Sequence, residues 1–111
     1  MGGIAFFRTA ARDEVVEFYT ERLGASVWLE QPGGCTILDH DGFRFGFCDA
    51  EEAETEGTLC FTYPHDAGVD AAYERLGDAA GDPPHENPEF DIYHAFGTDP
   101  EGRRVEVQSF R

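Results

Sequence analysis

The feature that most constrains this chain is that its two halves repeat each other. Glu21-Arg22-Leu23-Gly24 returns as Glu74-Arg75-Leu76-Gly77, 53 residues on. Asp39-His40-Asp41-Gly42 returns as Asp99-Pro100-Glu101-Gly102, 60 residues on. Ile4-Ala5-Phe6 stands where Leu59-Cys60-Phe61 stands, 55 residues on. Three matches in one order, each at the equivalent station, are the signature of a tandem repeat. The fold must therefore be buildable from one small unit used twice within 111 residues.

Hydrophobic spacing gives the content of that unit. Gly3 to Arg8 reads as a strand. A helix follows, with Thr9 available as its cap and Asp13 and Glu14 in its first turn. Val15, Val16, Tyr19 and Leu23 recur at helical spacing, and Gly24 is a suitable stop. Strands are expected at about 26–31, 34–39 and 42–48, separated by Pro32-Gly33-Gly34 and Asp39-His40-Asp41-Gly42. Phe43, Phe45 and Phe47 alternate with Arg44 and Gly46, which is strand period.

After an acidic linker, 49–57, the pattern restarts. A strand over 58–63 leads to a helix that Asp66 can cap, with Val69, Ala72, Tyr73 and Leu76 on one face and Gly77 as stop. The polar stretch 78–89 reads as a long loop or weak edge strand. Strands over 90–98 and 103–110 flank the turn Asp99-Pro100-Glu101-Gly102. The expected fold class is α+β: a single domain, 1–111, made of tandem βαβββ modules at 1–50 and 56–111.

Charge narrows the partners. Asp and Glu number 23 against 8 basic residues, all Arg and none Lys, for a formal net charge of −15. Nucleic acid and anionic membrane surfaces both require a basic face, so neither is an expected partner. The longest unbroken apolar run is Ile4 to Phe7, too short for a membrane span. No basic segment followed by an apolar one opens the chain, so no secretory leader is expected, and the compartment read from this is the cytoplasm. The acid excess without Lys favours the cytoplasm of an extreme halophile over an ordinary acidic protein, because salt screens such self-repulsion. Cys35, Cys48 and Cys60 are odd in number, widely spaced and without a C-x-x-C. They read as small buried apolar residues rather than a zinc knuckle or disulfide framework.

Phe18-Tyr19-Thr20-Glu21-Arg22-Leu23-Gly24 is similar to the F-Y-x-x-x-L-G that ends the first helix of the vicinal oxygen chelate superfamily. Asp99-Pro100-Glu101-Gly102-Arg103-Arg104-Val105-Glu106 is similar to its D-P-[DE]-G-x-x-[IV]-E hairpin. The chain resembles that superfamily, the group of glyoxalase I, bleomycin- and fosfomycin-resistance proteins and extradiol dioxygenases, over essentially its whole length. The resemblance implies modules whose mixed sheets curl into a cup around a small molecule, and commonly a homodimer. It also implies metal ligands on the first and fourth strands of each module. Carried over, those positions are Gly3 or Ile4, Gly46, Thr58 and Glu106. Only Glu106 is of ligand type, while a catalytic transition-metal site needs about three protein ligands. No metal and no cofactor are therefore expected.

The remaining candidates follow from the last hairpin. If Thr98 pairs with Arg104, Phe96 faces Glu106, His94 faces Gln108, and all four share one face. His40, His65 and His85 fall in turns or loops and read as solvated. Trp28, the only Trp, is a further candidate for ligand stacking. The best reading is a metal-independent protein that binds a small apolar or aromatic molecule through Glu106, His94, Phe96, Gln108 and Trp28. The alternatives are a divalent-metal lyase or dioxygenase using Glu106 and His94, and a protein acting only through its dimer surface.

Overall fold

The computed structural model describes residues 2–111. The elements in chain order are β1 (Ile4–Thr9), α1 (Arg12–Arg22), β2 (Ser26–Gln31), β3 (Cys35–His40) and β4 (Phe43–Asp49) in the first module. The second holds β5 (Thr58–Thr62), α2 (Asp66–Leu76), a 3-10 turn (Gly77–Ala79), β6 (His85–Asn87), β7 (Ile92–Thr98) and β8 (Arg104–Phe110). The chain divides into two compact units after Thr55. Each unit carries one helix and one four-stranded mixed sheet, in the order β1-β4-β3-β2 and β5-β8-β7-β6. The α+β class and the doubled βαβββ unit are thus as read from the repeat. The first and last strands of each module pair in parallel, and the others pair antiparallel.

The first module packs α1 on the face of its sheet that carries Phe45 and Phe47. Tyr19 is fully buried, with its ring centroid 5.3 Å from each of those phenylalanines. Val15, Phe18 and Leu23 complete the buried stripe, whereas Val16 is only half-buried. Thr9 does not cap the helix. The N-cap is Ala11, and Thr9 Oγ1 instead accepts a hydrogen bond from the Ala11 amide.

In the second module Val69, Ala72 and Leu76 of α2 are buried, and the helix packs on β7 and β8, where Ala95, Val105 and Val107 are buried too. Gly97 is required by this contact, since a Cβ there would stand 2.8 Å from the Ala79 carbonyl oxygen. Asp66 is the first helical residue rather than the cap, which is His65. Its carboxylate accepts hydrogen bonds from Ser109 Oγ and Arg111 Nη1, tying the helix start to the end of β8. Ser109, then Arg111, hold that carboxyl below its ordinary range.

Two sequence readings need correction. Cys35 and Cys48 are not simple apolar residues: they form a disulfide, with Cα atoms 4.0 Å apart. They stand directly opposite each other on β3 and β4. The neighbouring pair, Gly34 and Asp49, is hydrogen-bonded, so the cysteines occupy the closer, non-hydrogen-bonded station of an antiparallel ladder. Disulfides persist in oxidising surroundings and are rare in a reducing cytosol, so this bond weighs against the cytoplasmic expectation. Among the described residues Cys60 is the free thiol.

The second correction is one of register. Ile4 pairs with Arg44, and Thr58 pairs with Arg104. The β1–β5 offset is therefore 54 residues (4 to 58), not 55, while β4 and β8 keep an offset of 60 (44 to 104). A shift of one residue exchanges the two faces of a strand. Phe6 is thus the counterpart of Cys60, and Gly46 that of Glu106.

The β7–β8 turn is locked by a buried ionic cluster. Asp99 Oδ1 accepts from the amides of Glu101 and Arg103. Arg103 Nη1 donates to Asp99 Oδ2 at 3.1 Å and to Glu101 Oε1 at 2.8 Å. Burial pulls the Arg103 guanidinium down, but its hydrogen bonds to Glu101 and Asp99 outweigh this and the net direction is up. The turn sets the pairing of Thr98 with Arg104 and everything that follows from it.

Candidate functional site

That register puts Glu106 opposite Phe96 and Gln108 opposite His94. The four residues share the sheet face opposite α2, together with Ile92 and Phe110. They line a cavity of about 640 Å3 within the second module. Its apolar wall is Phe90, Ile92, Phe96 and Phe110, and its polar wall is His85, Asn87, His94, Glu106 and Gln108. Phe90 and Phe110 are 65% and 67% exposed, so the apolar wall is still wet at its rim.

The chemistry centres on one short contact. His94 Nδ1 lies 2.6 Å from Glu106 Oε2, with the two side chains 7% and 15% exposed. A carboxylate in that position fixes the imidazole orientation and directs its other nitrogen away from the acid. The His94 ring sits 5.0 Å from the rings of both Phe96 and His85. Cys60 completes the polar group from the neighbouring strand, where it pairs with Glu106. Gln108 Nε2 donates to Cys60 Sγ at 2.7 Å. Burial, then the charge of Glu106, push the Cys60 thiol up to about 11. At neutral pH it is a protonated thiol, not a thiolate nucleophile.

Four of the five sequence-derived candidates, His94, Phe96, Glu106 and Gln108, therefore meet at one cavity. Trp28 does not line it. It lies on β2 of the first module with the Arg44 guanidinium 3.9 Å above its ring. His85 was read as a solvated loop residue. It is exposed, but β6 pairs it directly with His94 and brings it to the cavity wall. Cys60, read from the sequence only as a small buried apolar residue, is the polar neighbour that was missed.

The resident metal implied by the resemblance does not fit these residues. Ile4 and Gly46 offer no ligand atom on their side chains. A Cβ on Gly46 would stand 2.7 Å from Phe6 ring atoms, so that ring fills the space a longer side chain would need. Thr58 Oγ1 accepts a hydrogen bond from Arg104 Nε. Glu106 is engaged by His94. Among the described residues no group of three or more His, Cys, Asp or Glu side chains is arranged to hold a metal ion.

Neither a family model nor a curated protein matches the sequence. Solved structures do. A lactoylglutathione lyase from Agrobacterium tumefaciens superposes with a TM-score of 0.78 at 20% identity, over 98% of this chain and 92% of that one. A glyoxalase/bleomycin resistance protein/dioxygenase from Nocardioides gives 0.74 at 22%, over 96% and 81%. An integron cassette protein from the mobile metagenome of the Halifax Harbour sewage outfall gives 0.81 at 15%, over 99% and 100%. At these identities the likeness is one of fold, and the fold is that of the glyoxalase/bleomycin-resistance proteins.

Proposed function

We propose that this chain, built on the glyoxalase/bleomycin-resistance fold, binds a small apolar or aromatic molecule without a metal. The fold alone hosts unrelated activities, so the reading rests on the site. The observation that carries it is the cavity itself. About 640 Å3 is within the usual range for small-molecule sites, and an apolar wall faced by a few convergent polar groups is their usual lining. The donor set at Ile4, Gly46, Thr58 and Glu106 supports the metal-free half of the proposal. In the same reading the protein is a homodimer, and its acid excess suits a salt-rich medium.

The test is a fluorescence titration with N-phenyl-1-naphthylamine, a neutral apolar probe, alongside elemental analysis of protein purified without chelators. The expected result is saturable binding that EDTA does not alter, with less than a tenth of an equivalent of Zn, Ni or Fe. Phe96→Ala should weaken the probe, because the Phe96 ring is part of the wall. One equivalent of transition metal, lost together with binding on chelation, would overturn the proposal in favour of a metal-dependent lyase or dioxygenase using His94 and Glu106. A probe that never binds a well-folded protein would leave a role through the dimer surface.

A further inference from the structure

The geometry points to one class of occupant: we propose that the cavity takes a neutral aromatic hydroxyl compound whose O–H donates to His94 Nε2. This rests on the binding reading above and narrows it.

His94 Nδ1 and Glu106 Oε2 lie 2.6 Å apart. A carboxylate accepts hydrogen bonds and cannot donate, so His94 Nδ1 carries the proton that lies between it and Glu106 Oε2. In the neutral imidazole, Nε2 is then a bare acceptor. It has no hydrogen-bond partner among the described residues, and it is not sealed from solvent. The residue is only 5% exposed, so the acceptor is poorly hydrated and unsatisfied by the protein. An occupant that displaces its last water without bringing a donor would leave it unpaired, which is costly.

Charge removes the other donors. The lining holds one carboxylate, Glu106, and no Lys or Arg. A carboxylate or phosphate on the occupant would place a second negative charge beside Glu106 in a chain of net −15, while Arg104, whose guanidinium lies 4.9 Å from the Phe96 ring, is hydrogen-bonded through Nε to Thr58 and is not part of the lining. An ammonium carries three donors and strong hydration, whereas Nε2 offers one lone pair. A neutral hydroxyl brings one donor to one acceptor. Its ring meets Phe90, Phe96 and Phe110, where offset or edge-on aromatic contact is favourable.

Four probes of one shape separate these possibilities in titrations at neutral pH: 2-naphthol, 2-methoxynaphthalene, 2-naphthoate and 2-naphthylmethylammonium. The wild-type protein should bind 2-naphthol about tenfold tighter than its methyl ether, the effect of one satisfied acceptor. Both charged probes should bind more weakly than 2-naphthol. His94→Phe should bring the naphthol-to-ether affinity ratio close to one, while His94→Gln, which keeps an acceptor, should retain part of the preference. Should the variants fold poorly, the naphthol-to-ether ratio on the wild type decides alone. Equal affinities for those two probes overturn this inference and leave the binding reading standing. Tightest binding of either charged probe overturns it in favour of a charged occupant. No binding by any of the four overturns both.

Discussion

Replacing Arg103 by Met tests how the final hairpin, and with it the cavity, is held in register. Arg103 is 1% exposed and the Asp99 side chain is fully buried. Its partner Glu101 is 10% exposed. The variant removes the only positive charge from this group of three and leaves two carboxylates side by side. Asp99 keeps two backbone donors, but Glu101 loses its partner at 2.8 Å. Removing one partner from a buried ion pair costs about 3–5 kcal/mol. With two acids left behind, the upper part of that range is expected. In a domain of this size that corresponds to a fall in Tm of roughly 15–20 °C. Urea unfolding at fixed salt is the assay, with an unchanged m-value showing that stability alone has moved. Arg103→Met/Glu101→Gln should recover at least about 1 kcal/mol, since the second change discharges the stranded acid. A single-variant loss below about 1 kcal/mol, or a double variant no better than the single, would refute the assignment of this cluster as the hairpin's lock.

Four further expectations follow from the same structure. Protein unfolded without reductant should take up one equivalent of iodoacetamide, at Cys60, and reduced, unfolded protein three. Reducing Cys35–Cys48, which closes a loop of 13 residues, should cost about 3 kcal/mol by chain entropy; a melting curve indifferent to reductant would contradict this. The folded Cys60 thiol titrates at about 11 against an ordinary 9.0, so the stability it contributes is complete below pH 9 and is lost as pH rises through 11. Wild type should lose more than Cys60→Ser across that window, and parallel stability curves would remove the claim. Thermal midpoints should rise from low to molar KCl as screening relieves the net charge of −15, and a flat series would remove the self-repulsion argument. Glu106→Gln should leave folding nearly intact but change probe affinity by about 1–3 kcal/mol through the loss of the His94 partner; identical affinity across pH 5 to 8 would mean Glu106 has no part in the site.

Most of the fold was legible because turns and alternation fix a hairpin from its own residues. Asp99-Pro100-Glu101-Gly102 places Thr98 opposite Arg104, and His94, Phe96, Glu106 and Gln108 then fall on one face without further information. The same procedure was open for the first hairpin: Cys35 and Cys48 are equidistant from the Asp41-Gly42 turn and therefore face each other. Counting cysteines by number and spacing hid what the register would have shown. The offset of β1 was misread because Ile4-Ala5-Phe6-Phe7 is apolar on both faces, so hydrophobicity cannot choose between 54 and 55. The edge strand β6 was left between a long loop and a weak edge strand for a different reason. His85-Glu86-Asn87 has no apolar pattern, and its place against β7 depends on the turn through Asp91, whose φ of 57° is a local backbone choice. Cys60 and His85, the cavity's unforeseen neighbours, both depended on one of these two registers.

The parallel pairing of first and last strands in each module has a consequence for how the chain reaches this structure. The hairpins β3–β4 and β7–β8 join residues close in sequence and can form early. Strand β1 must find β4 across the interval from Ile4 to Arg44, and β5 must find β8 across that from Thr58 to Arg104. Contacts of such separation carry a loop-closure cost before they contribute, and they slow folding. Each module therefore has the same late event: docking of its opening strand on a template made by its closing hairpin. In the first module that template is covalently fastened once Cys35 and Cys48 join, so β1 can detach and return without the hairpin dissolving. In the second no disulfide joins β7 and β8 among the described residues, and transient opening there would uncover the cavity wall itself.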